Sequence, residues 1–531
     1  MTEVLANYLI RRIEKAGQSW PLDDERDAHK TVLKWAAFRE SDKEALRTLA
    51  KWDSDRDYRV DSLPEKISEA YASMLFGEDI RVTPGSKDDA ERLEALTASP
   101  AGQDDAGFNA ELRWGETLCS SEGEVWWRLY SNRDVSDHPL IEFHSRENVV
   151  PHFIGHRLVA AAFMSEFLGP DTSDAGNEKR TVWRHFEIHT NGRIENRLYR
   201  GTADRIGQGV DLAEHIETEG LEPIWEHGLP GMLCGRIPNK LGRDRRLGVS
   251  DYKAVEDYLL DLNEAVTIGK ENARLTLKKR VVVPNRLLKP RTETVDNGDG
   301  SRSVIERPTF DASEDVFVED NLDDNLGDSS SGPYKVLEYS FDAEALIAYK
   351  RDLVSSALTR AGITPQFVGA YAGNEGQAET GTALRVRLIP TTSAANGKGQ
   401  FWDQAIPQIL LLAQLLDQMP VELGGFGVQW SAAGEAPTIE RTDPLPIDPT
   451  EQATRHVALV GAELESAETA IRDLHPDWTD QQVKDELTRI EEARPTMTIP
   501  SFDPSGSGTG DVPPALVPDT NTVTPPAEDQ A

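Results

Sequence analysis

A glycine-rich stretch in the second half of the chain has residue types that can bind phosphate. Residues 368–390 read VGAYAGNEGQAETGTALRVRLIP and include Gly369, Gly373, Gly376 and Gly381. A Walker-type loop needs a Lys followed by Ser or Thr after its last glycine, since the hydroxyl holds magnesium and the amine reaches phosphate. Here Thr382 and Ala383 follow instead. Because glycine frees the backbone, the stretch is predicted to be a moving loop rather than a nucleotide site.

A second candidate is the segment HFEIH, which has the atoms of a metal site. His185, Glu187 and His189 alternate, so they share one face if the segment is a strand. Their order differs from the helical zinc-protease pattern, in which Glu directly follows the first His. We interpret them as an exposed polar strand face.

Acidic residues between 296 and 324 are a third candidate. DNGDGS, residues 296–301, has the composition of a calcium loop, but its acidic positions do not match one, and a tight hairpin turn is predicted. Further acids that could bind divalent cations for nuclease chemistry are Glu314, Asp315, Glu319, Asp320, Asp323 and Asp324. Such a site needs rigid geometry, whereas residues 292–332 lack apolar periodicity. An exposed, partly mobile acidic insertion is predicted.

Composition, motifs and charge argue against a membrane-spanning protein, a secreted or disulfide-rich protein, and a protein that binds nucleic acid tightly. The 531 residues allow several structural units, and no apolar run is long enough to span a membrane. The N-terminal residues lack the pattern of a signal peptide, so synthesis in the cytoplasm is expected. No GxSxG elbow occurs, and two isolated cysteines, Cys119 and Cys234, suggest neither a disulfide framework nor a zinc site. A net charge of −35 opposes tight binding of nucleic acid but is compatible with guiding it.

The hydrophobic pattern predicts an α+β protein. The first hundred residues have helical periodicity, and residues 124–200 alternate as strands, with Asn191-Gly192 as a hairpin turn. A long helix capped by Ser250 is predicted to end in basic residues. A small strand-bearing insertion follows, and then a returning helix that stops at Gly362. An apolar helix, a small helical unit and a disordered tail from residue 494 complete the prediction.

This order of elements resembles the portal proteins of long-tailed, siphovirus-type bacteriophages, especially those of actinobacterial hosts. The residues that carry the resemblance are LGVSDYKAVEDYLLDLNEAV at 247–266 and ETGTALRVRL at 379–388. It covers residues from about 30 to 418. The family forms a ring of about twelve copies at one capsid vertex, through which double-stranded DNA is packaged and ejected.

The resemblance implies a division of the chain into the parts of a portal subunit. These are a wing (1–249), stem helices (250–280 and 341–361), a clip (281–340), a tunnel-loop region (362–400), a wing helix and return (401–449), a helical crown (450–493) and the tail (494–531). The resemblance also implies docking of the terminase large subunit and head-completion or connector proteins, contact with major capsid and scaffolding proteins, and location in the virion. It requires no catalytic residue, metal or cofactor.

Particular residues acquire expected roles from the same resemblance. The tunnel-loop residues facing DNA are Gly369, Tyr371, Gly373, Asn374, Glu375, Gly376 and Gln377. The basic residues that could line the channel are Lys270, Arg274, Lys278 and Arg385. The stem-packing residues are Tyr252, Leu259, Leu262 and Val266. Without the resemblance, basic residues at a helix C-terminus are explained by the helix dipole alone.

The sequence departs from the portal family in two places, and two other functions remain open. The insertion is longer and more acidic than a minimal strand pair, and Pro390 with TTSAANGKG is expected to break a helix that family members often continue. One alternative is a nucleotide- or metal-dependent phage DNA-processing enzyme. The other is a capsid structural protein that forms no channel.

Overall fold

The computed structural model describes most of the chain. The described residues are 2–15, 19–52, 57–98, 107–168, 181–243, 245–277, 280–284, 291–296, 302–307, 316–319, 335–337, 340–369, 381–432, 434–441, 449–475 and 478–493. The chain divides into two compact units, Met1–Pro446 and Ile447–Ala531. The predicted disordered tail lies outside the described residues.

The first unit combines helices with short strands, which confirms the predicted α+β class. Its helices are α1 Thr2–Lys15, α2 Arg26–Arg39, α3 Lys43–Leu49, α4 Leu63–Phe76, α5 Ala90–Thr97, α6 Gly107–Glu122, α7 Glu256–Leu277, α8 Ala343–Ala361 and α9 Gly381–Gln418. Its first strands are β1 Arg81–Thr83, β2 Glu124–Tyr130, β3 Leu140–His144, β4 Val149–Ile154, β5 Arg157–Leu168, β6 Val182–Thr190, β7 Arg193–Thr202, β8 Arg205–Val210, β9 Ile224–Trp225 and β10 Cys234–Pro238. The later strands are β11 Arg280–Pro284, β12 Arg291–Asp296, β13 Arg302–Arg307, β14 Val316–Glu319, β15 Lys335–Leu337 and β16 Thr438–Glu440.

Two antiparallel sheets form the strand-rich part of this unit. One has the order β4-β5-β6-β7-β8, with β9 added to β7, and the other has the order β10-β2-β3. Thr190 pairs with Arg193 across the predicted Asn191-Gly192 turn, and Gly192 adopts a φ of +77°. That hairpin prediction is confirmed, because a positive φ costs glycine little.

Both faces of the larger sheet are covered. Helix α1 packs Leu9 and Ile13 against Phe186 and Ile188 of β6 on one face. On the other face, Phe163 of β5 packs with residues of β2 and β10. A third and larger cluster joins α2, α4, α6, α7, α8 and α9. This cluster is the main core of the first unit, and it anchors one end of α7 and one end of α8.

The acidic insertion contains more regular structure than its composition indicated. Strands β12 and β13 pair antiparallel from Arg291–Arg307 to Asp296–Arg302, and residues 297–301, where a tight turn was predicted, lie outside the described residues. Strand β11 pairs parallel with β14 and antiparallel with β15. The strand-bearing character predicted for this part of the chain agrees with β11 and β15, but the expectation that residues 292–332 lack periodic structure is wrong for the short strands β12, β13 and β14.

The predicted helix break after residue 380 is also wrong. Helix α9 is continuous from Gly381 to Gln418 with Pro390 and Pro407 inside it. A proline removes one backbone donor and exposes neighbouring carbonyl groups. Near Pro390, the Thr364 hydroxyl donates to the Arg387 carbonyl at 3.1 Å. This outside donor supplies a hydrogen bond at the turn that proline weakens.

The described residues of the second unit, 449–475 and 478–493, form three short helices. They are α10 Pro449–Gly461, α11 Ala467–Leu474 and α12 Asp480–Ala493. Helices α10 and α11 are separated by a turn in which Glu463 has a φ of +58°. Ser466 caps α11 by accepting from Thr469 N at 3.1 Å, and Thr479 directly precedes α12.

Candidate functional site

The root of α7 is fixed in the core of the first unit. A 3₁₀ turn, Asp251–Ala254, precedes the helix, and Ser250 accepts from Tyr252 N at 3.0 Å. The buried Tyr252 hydroxyl donates to the Pro64 carbonyl at 2.8 Å and contacts the Ser68 hydroxyl at 2.6 Å. The long helix was expected to start at Ser250, but the regular α-helix starts one turn later. The turn is held by α4 rather than by helix propensity.

The residues expected to pack the first long helix lie along the side of α7 that faces the core. Leu259 and Leu262 are buried, and Val266 is half-buried against the same cluster. Ala273, two turns further along α7, is exposed. Beyond Val266 the helix still contacts the body, because Arg59 N donates to Thr267 Oγ1 at 2.9 Å and Lys270 Nζ lies 2.6 Å from Asp57.

Helix α8 returns beside α7 and ends on the body. At Gly269, an added Cβ would lie 2.6 Å from Leu346 Cδ2, so glycine allows the two helices to approach closely. Arg360 lies over the Tyr258 ring at 5.0 Å, and Tyr71 donates to the Ala361 carbonyl at 2.5 Å. The outer half of α8 exposes large apolar side chains, including Ile347 at 57%. The helix pair is thus rooted at one end and exposed at the other.

Helix α8 stops through a glycine cap. Gly362 has a φ of +87°, and Ile363 N donates to the Leu358 carbonyl at 2.8 Å. Asp342 caps the opposite end by accepting from Ala345 N at 2.9 Å. The end at Gly362 was predicted from the sequence, because a glycine after a helix allows the turn that satisfies free carbonyl groups.

The glycine-rich segment has closely joined flanks. Thr364 N donates to Thr391 Oγ1 at 2.8 Å, and the two hydroxyls are 2.9 Å apart. Gly369 ends a short 3₁₀ turn with a φ of +66°. Residues 370–380 lie outside the described residues, and with them Tyr371, Gly373, Asn374, Glu375, Gly376 and Gln377. The chain between Thr364 and Thr391 therefore leaves and returns at one place on the body.

The basic residues predicted to line a channel have different environments. Lys270 Nζ lies 2.6 Å from Asp57 Oδ2, and Lys270 and Lys43 hold the pKa of Asp57 below its usual range. Arg274 is exposed near the end of α7, and Arg385 lies half-buried in the first turns of α9. Lys278 lies outside the described residues. Lys270 and Arg274 are one turn apart on α7, Arg385 belongs to a different helix, and Lys270 is held by a carboxylate.

A buried ionic cluster, which the sequence reasoning missed, connects the root of α7 with α9. Lys398 lies against Asp251, 3.7 Å from Glu116 Oε1 and 3.3 Å from the centre of the Tyr71 ring. Trp402 Nε1 donates to Glu116 Oε2 at 2.7 Å. All five side chains are buried. This set is called the Lys398 cluster below.

The Lys398 cluster has the charge balance of one cation between two carboxylates, with a second lysine at its edge. Lys240 Nζ lies 2.7 Å from Asp251 Oδ1, and Ser120 donates to Asp251 Oδ2 at 2.7 Å. Burial would raise the pKa of Asp251, but Lys398 and Lys240 hold it below its usual range. Burial raises the pKa of Glu116 to about 7, although Lys398 and Trp402 oppose this shift. Lys398 and Asp251 therefore form the ionised pair, and Glu116 holds a proton below neutrality.

The raised pKa of Glu116 predicts a pH dependence of stability. Between pH 4.5 and about 7 the folded protein keeps a proton that the unfolded chain has lost, so the free energy of unfolding falls as pH rises. Glu116→Gln keeps an acceptor for Trp402 and removes this proton. Denaturant titrations give the free energy of unfolding of both proteins at each pH. From pH 4.5 to pH 8, the difference between Glu116→Gln and the unsubstituted protein should change by about 3 kcal/mol in favour of the variant. Glu91→Gln, on the exposed side of α5, is the control. Parallel stability curves for the unsubstituted protein and Glu116→Gln would contradict the assignment.

The His–Glu segment is buried, which corrects the expectation of an exposed polar strand face. His189 Nε2 lies 2.5 Å from Glu187 Oε1, and His185 Nε2 lies 3.0 Å from Asn196 Oδ1. Arg128 reaches Glu187 at 3.2 Å from β2. Burial would raise the pKa of Glu187, but Arg128 and His189 hold it below its usual range. The face is buried because the β10-β2-β3 sheet covers it.

The described part of the chain has no group of three or more His, Cys, Asp or Glu side chains placed to hold a metal ion. Cys119 and Cys234 are buried, and burial raises the pKa of both thiols. Of the acids considered for divalent cations, Glu319 ends β14, while the other five lie outside the described residues. None of the described helices is both long and apolar enough to cross a membrane.

Comparison with known proteins gives structural neighbours only. No protein-family model matches the chain, and no curated protein matches its sequence. A chain in the neck of a native GTA particle, computed with C12 symmetry, is 11% identical with a TM-score of 0.36, covering 78% of this chain and 89% of that chain. A chain in the neck of an empty GTA particle, computed with C6 symmetry, is 12% identical with a TM-score of 0.40, covering 78% and 90%. A chain in the virion of a native gene transfer agent particle is 11% identical with a TM-score of 0.37, covering 78% and 89%. Similarity at this level establishes neither the family nor the activity of this chain.

Proposed function

We propose that this protein is the portal subunit of a siphovirus-type bacteriophage. About twelve copies would form a ring at one capsid vertex, through which double-stranded DNA is packaged and later ejected. The observation that carries the proposal is the α7–α8 helix pair, which is rooted in the core, exposed along its outer half and interrupted only by a strand-bearing segment. Such a helix pair can hold the strand-bearing segment between the two helices away from the core of the first unit.

In this proposal the structural regions have separate tasks. The wing would be residues 1–249, the stem would be the helix pair, and the clip would be residues 281–340. The clip would dock the terminase large subunit during packaging and head-completion or connector proteins afterwards. The outer body would contact major capsid and scaffolding proteins, and residues 450–493 would form the crown. The protein would be made in the host cytoplasm and reside in the virion.

The charge of the chain suits passage of DNA rather than capture. Each copy carries a net charge of −35, so a ring of about twelve repels phosphates over most of its surface. Lys270 is paired with Asp57, and a cation paired in this way attracts phosphate less than a free one. We assign the protein no catalytic residue or cofactor, since the energy for packaging would come from the separate terminase.

The joined flanks of residues 370–380 support their assignment as the tunnel loop. Thr364, which precedes the segment, is bonded to Thr391, ten residues into α9, so the chain on both sides of the segment is anchored to the body. A loop of this kind would contact a moving duplex through its glycines and the polar side chains between them.

Shortening this loop tests the assignment. Deletion of residues 373–376 should leave ring formation intact, because the anchoring threonines remain, but it should lower the DNA packaged per head several-fold. The measurement is the ratio of packaged DNA to major capsid protein in particles assembled with each variant. Deletion of residues 173–176, in the β5–β6 connection, removes the same number of residues as a control. Normal packaging by the 373–376 variant would refute the tunnel-loop assignment.

A further inference from the structure

An exposed basic loop lies directly before the root of α7. Residues 240–246 read KLGRDRR in a chain whose net charge is −35. The basic residues of this loop are Lys240, Arg243, Arg245 and Arg246. All four are exposed, although Lys240 also reaches Asp251. We call residues 240–247 the basic loop. A dense positive patch in an acidic protein attracts an acidic partner.

The described residues of the basic loop, which exclude Asp244, have a defined conformation. Val249 N donates to the Lys240 carbonyl at 2.9 Å, and Gly242 N donates to the Leu247 carbonyl at 3.2 Å. Arg236, held by Glu124 Oε2 at 3.1 Å, donates to the carbonyl of Arg245 at 3.0 Å. The loop is therefore prepared for contact before any partner arrives, which lowers the entropy lost on binding.

An acidic loop of opposite composition follows β8. Residues 211–226 read DLAEHIETEGLEPIWE and contain no Lys or Arg. Their acids are Asp211, Glu214, Glu217, Glu219, Glu222 and Glu226, all of them exposed. Asp211 accepts from Ala213 N at 3.0 Å, Thr218 donates to the Leu212 carbonyl at 2.6 Å, and His215 stacks on Phe167 at 4.8 Å. This acidic loop is also held in place by its own contacts.

Each loop adds exposed aliphatic side chains to its charges. Leu241 is 47% exposed in the basic loop, while Ile216 and Ile224 are 81% and 42% exposed in the acidic loop. Arginine beside an aliphatic group is typical of protein–protein contacts, whereas phosphate offers no apolar surface. The charges and the aliphatic residues of the two loops therefore match each other better than either matches DNA.

We propose that the basic loop of one copy docks on the acidic loop of the next copy. This inference rests on the proposed ring, because a head-to-tail ring needs two different, complementary surfaces on every copy. The contact also counters the repulsion between copies that each carry −35. The basic loop is fixed to β2 and β10, while the acidic loop is fixed to β5 and β7, so each subunit presents them from separate sheets.

Charge reversal tests the pairing. The basic-loop variant carries Arg243→Glu and Arg245→Glu, and the acidic-loop variant carries Glu217→Lys and Glu219→Lys. At an ionic strength of about 0.1 M, each should need at least about tenfold more protein for half-maximal ring assembly than the unsubstituted chain. A variant with all four changes should recover to within about threefold, since every contact again joins opposite charges. Assembly is measured by native mass spectrometry and sedimentation.

The controls separate this inference from the ring itself. A variant with Lys87→Glu and Arg133→Glu has the same change in net charge as the basic-loop variant, but at exposed positions elsewhere, and should assemble normally. Circular dichroism should show the same fold and melting for all variants.

If the unsubstituted chain forms rings and the basic-loop variant forms them equally well, the pairing is wrong and the ring proposal stands. Failure of the four-change variant to recover would also refute the pairing. If the basic-loop variant assembles normally but its rings retain less DNA, the loop binds phosphate and the pairing is wrong. If the unsubstituted chain forms no rings at any salt concentration, both proposals are wrong.

Discussion

Replacement of Lys398 by methionine is expected to lower the free energy of unfolding by about 3–5 kcal/mol. Methionine fills a similar volume but leaves Asp251 buried with only the edge lysine, Lys240, as a cationic partner. The carboxylate then lacks its nearest charge, and Glu116 loses an opposing cation as well. The change is measured by urea titration followed by tryptophan fluorescence, with Trp402 inside the cluster.

Two further variants make this result specific to the cluster. Lys253→Met, at an exposed position in the same 3₁₀ turn, should change stability by less than about 0.5 kcal/mol. Lys398→Met combined with Asp251→Asn and Glu116→Gln should recover at least half of the loss, since no uncompensated charge remains buried. Equal unfolding midpoints for Lys398→Met and Lys253→Met would show that the cluster does not stabilise the fold.

Leu262→Asp is expected to prevent stable folding, with a loss of at least about 4 kcal/mol. Leu262 is only 1% exposed and lies in the main apolar cluster, so a carboxylate there would be buried among apolar side chains. The substitution should abolish ring assembly as a consequence of misfolding. The measurements are soluble yield, circular dichroism and thermal melting.

The matched substitution Ile347→Asp separates folding from assembly. It places the same side chain on the exposed outer half of α8, where Ile347 is 57% exposed. The monomer should keep its stability within about 0.5 kcal/mol. Normal folding and normal rings with Leu262→Asp would contradict the assignment of α7 as a stem helix rooted in the core.

The sequence predicted features that depend on local chemistry. Asn191-Gly192 marks a hairpin because the turn needs a positive φ, and Gly362 marks the end of α8 for the same reason. Alternating apolar residues predicted the strands around β2–β7. These signals work because the determining atoms belong to a few neighbouring residues.

The errors have a common origin in distant contacts. His185, Glu187 and His189 were interpreted as exposed because a polar face in one strand usually meets water, but a second sheet brings Arg128 to it. Pro390 was expected to end a helix, although Thr364 supplies a donor near the weakened turn. Neither partner is close in sequence.

The Lys398 cluster was missed for the same reason, although one signal was present. Lys398 is the only charged residue between Arg387 and Asp403. A single charge in an otherwise uncharged helical run is more consistent with a buried ion pair than with a solvated face. Its carboxylate partners, Glu116 and Asp251, come from two other elements. Their identity could not be deduced without the fold.

The most direct test of the proposed ring is electron microscopy of the purified full-length protein in negative stain. Moderate and high salt should both be used, because ions screen the repulsion between acidic copies. The portal proposal predicts end views with about twelvefold symmetry and a central hole wide enough for a DNA duplex. Compact particles without a ring at every salt concentration would contradict it.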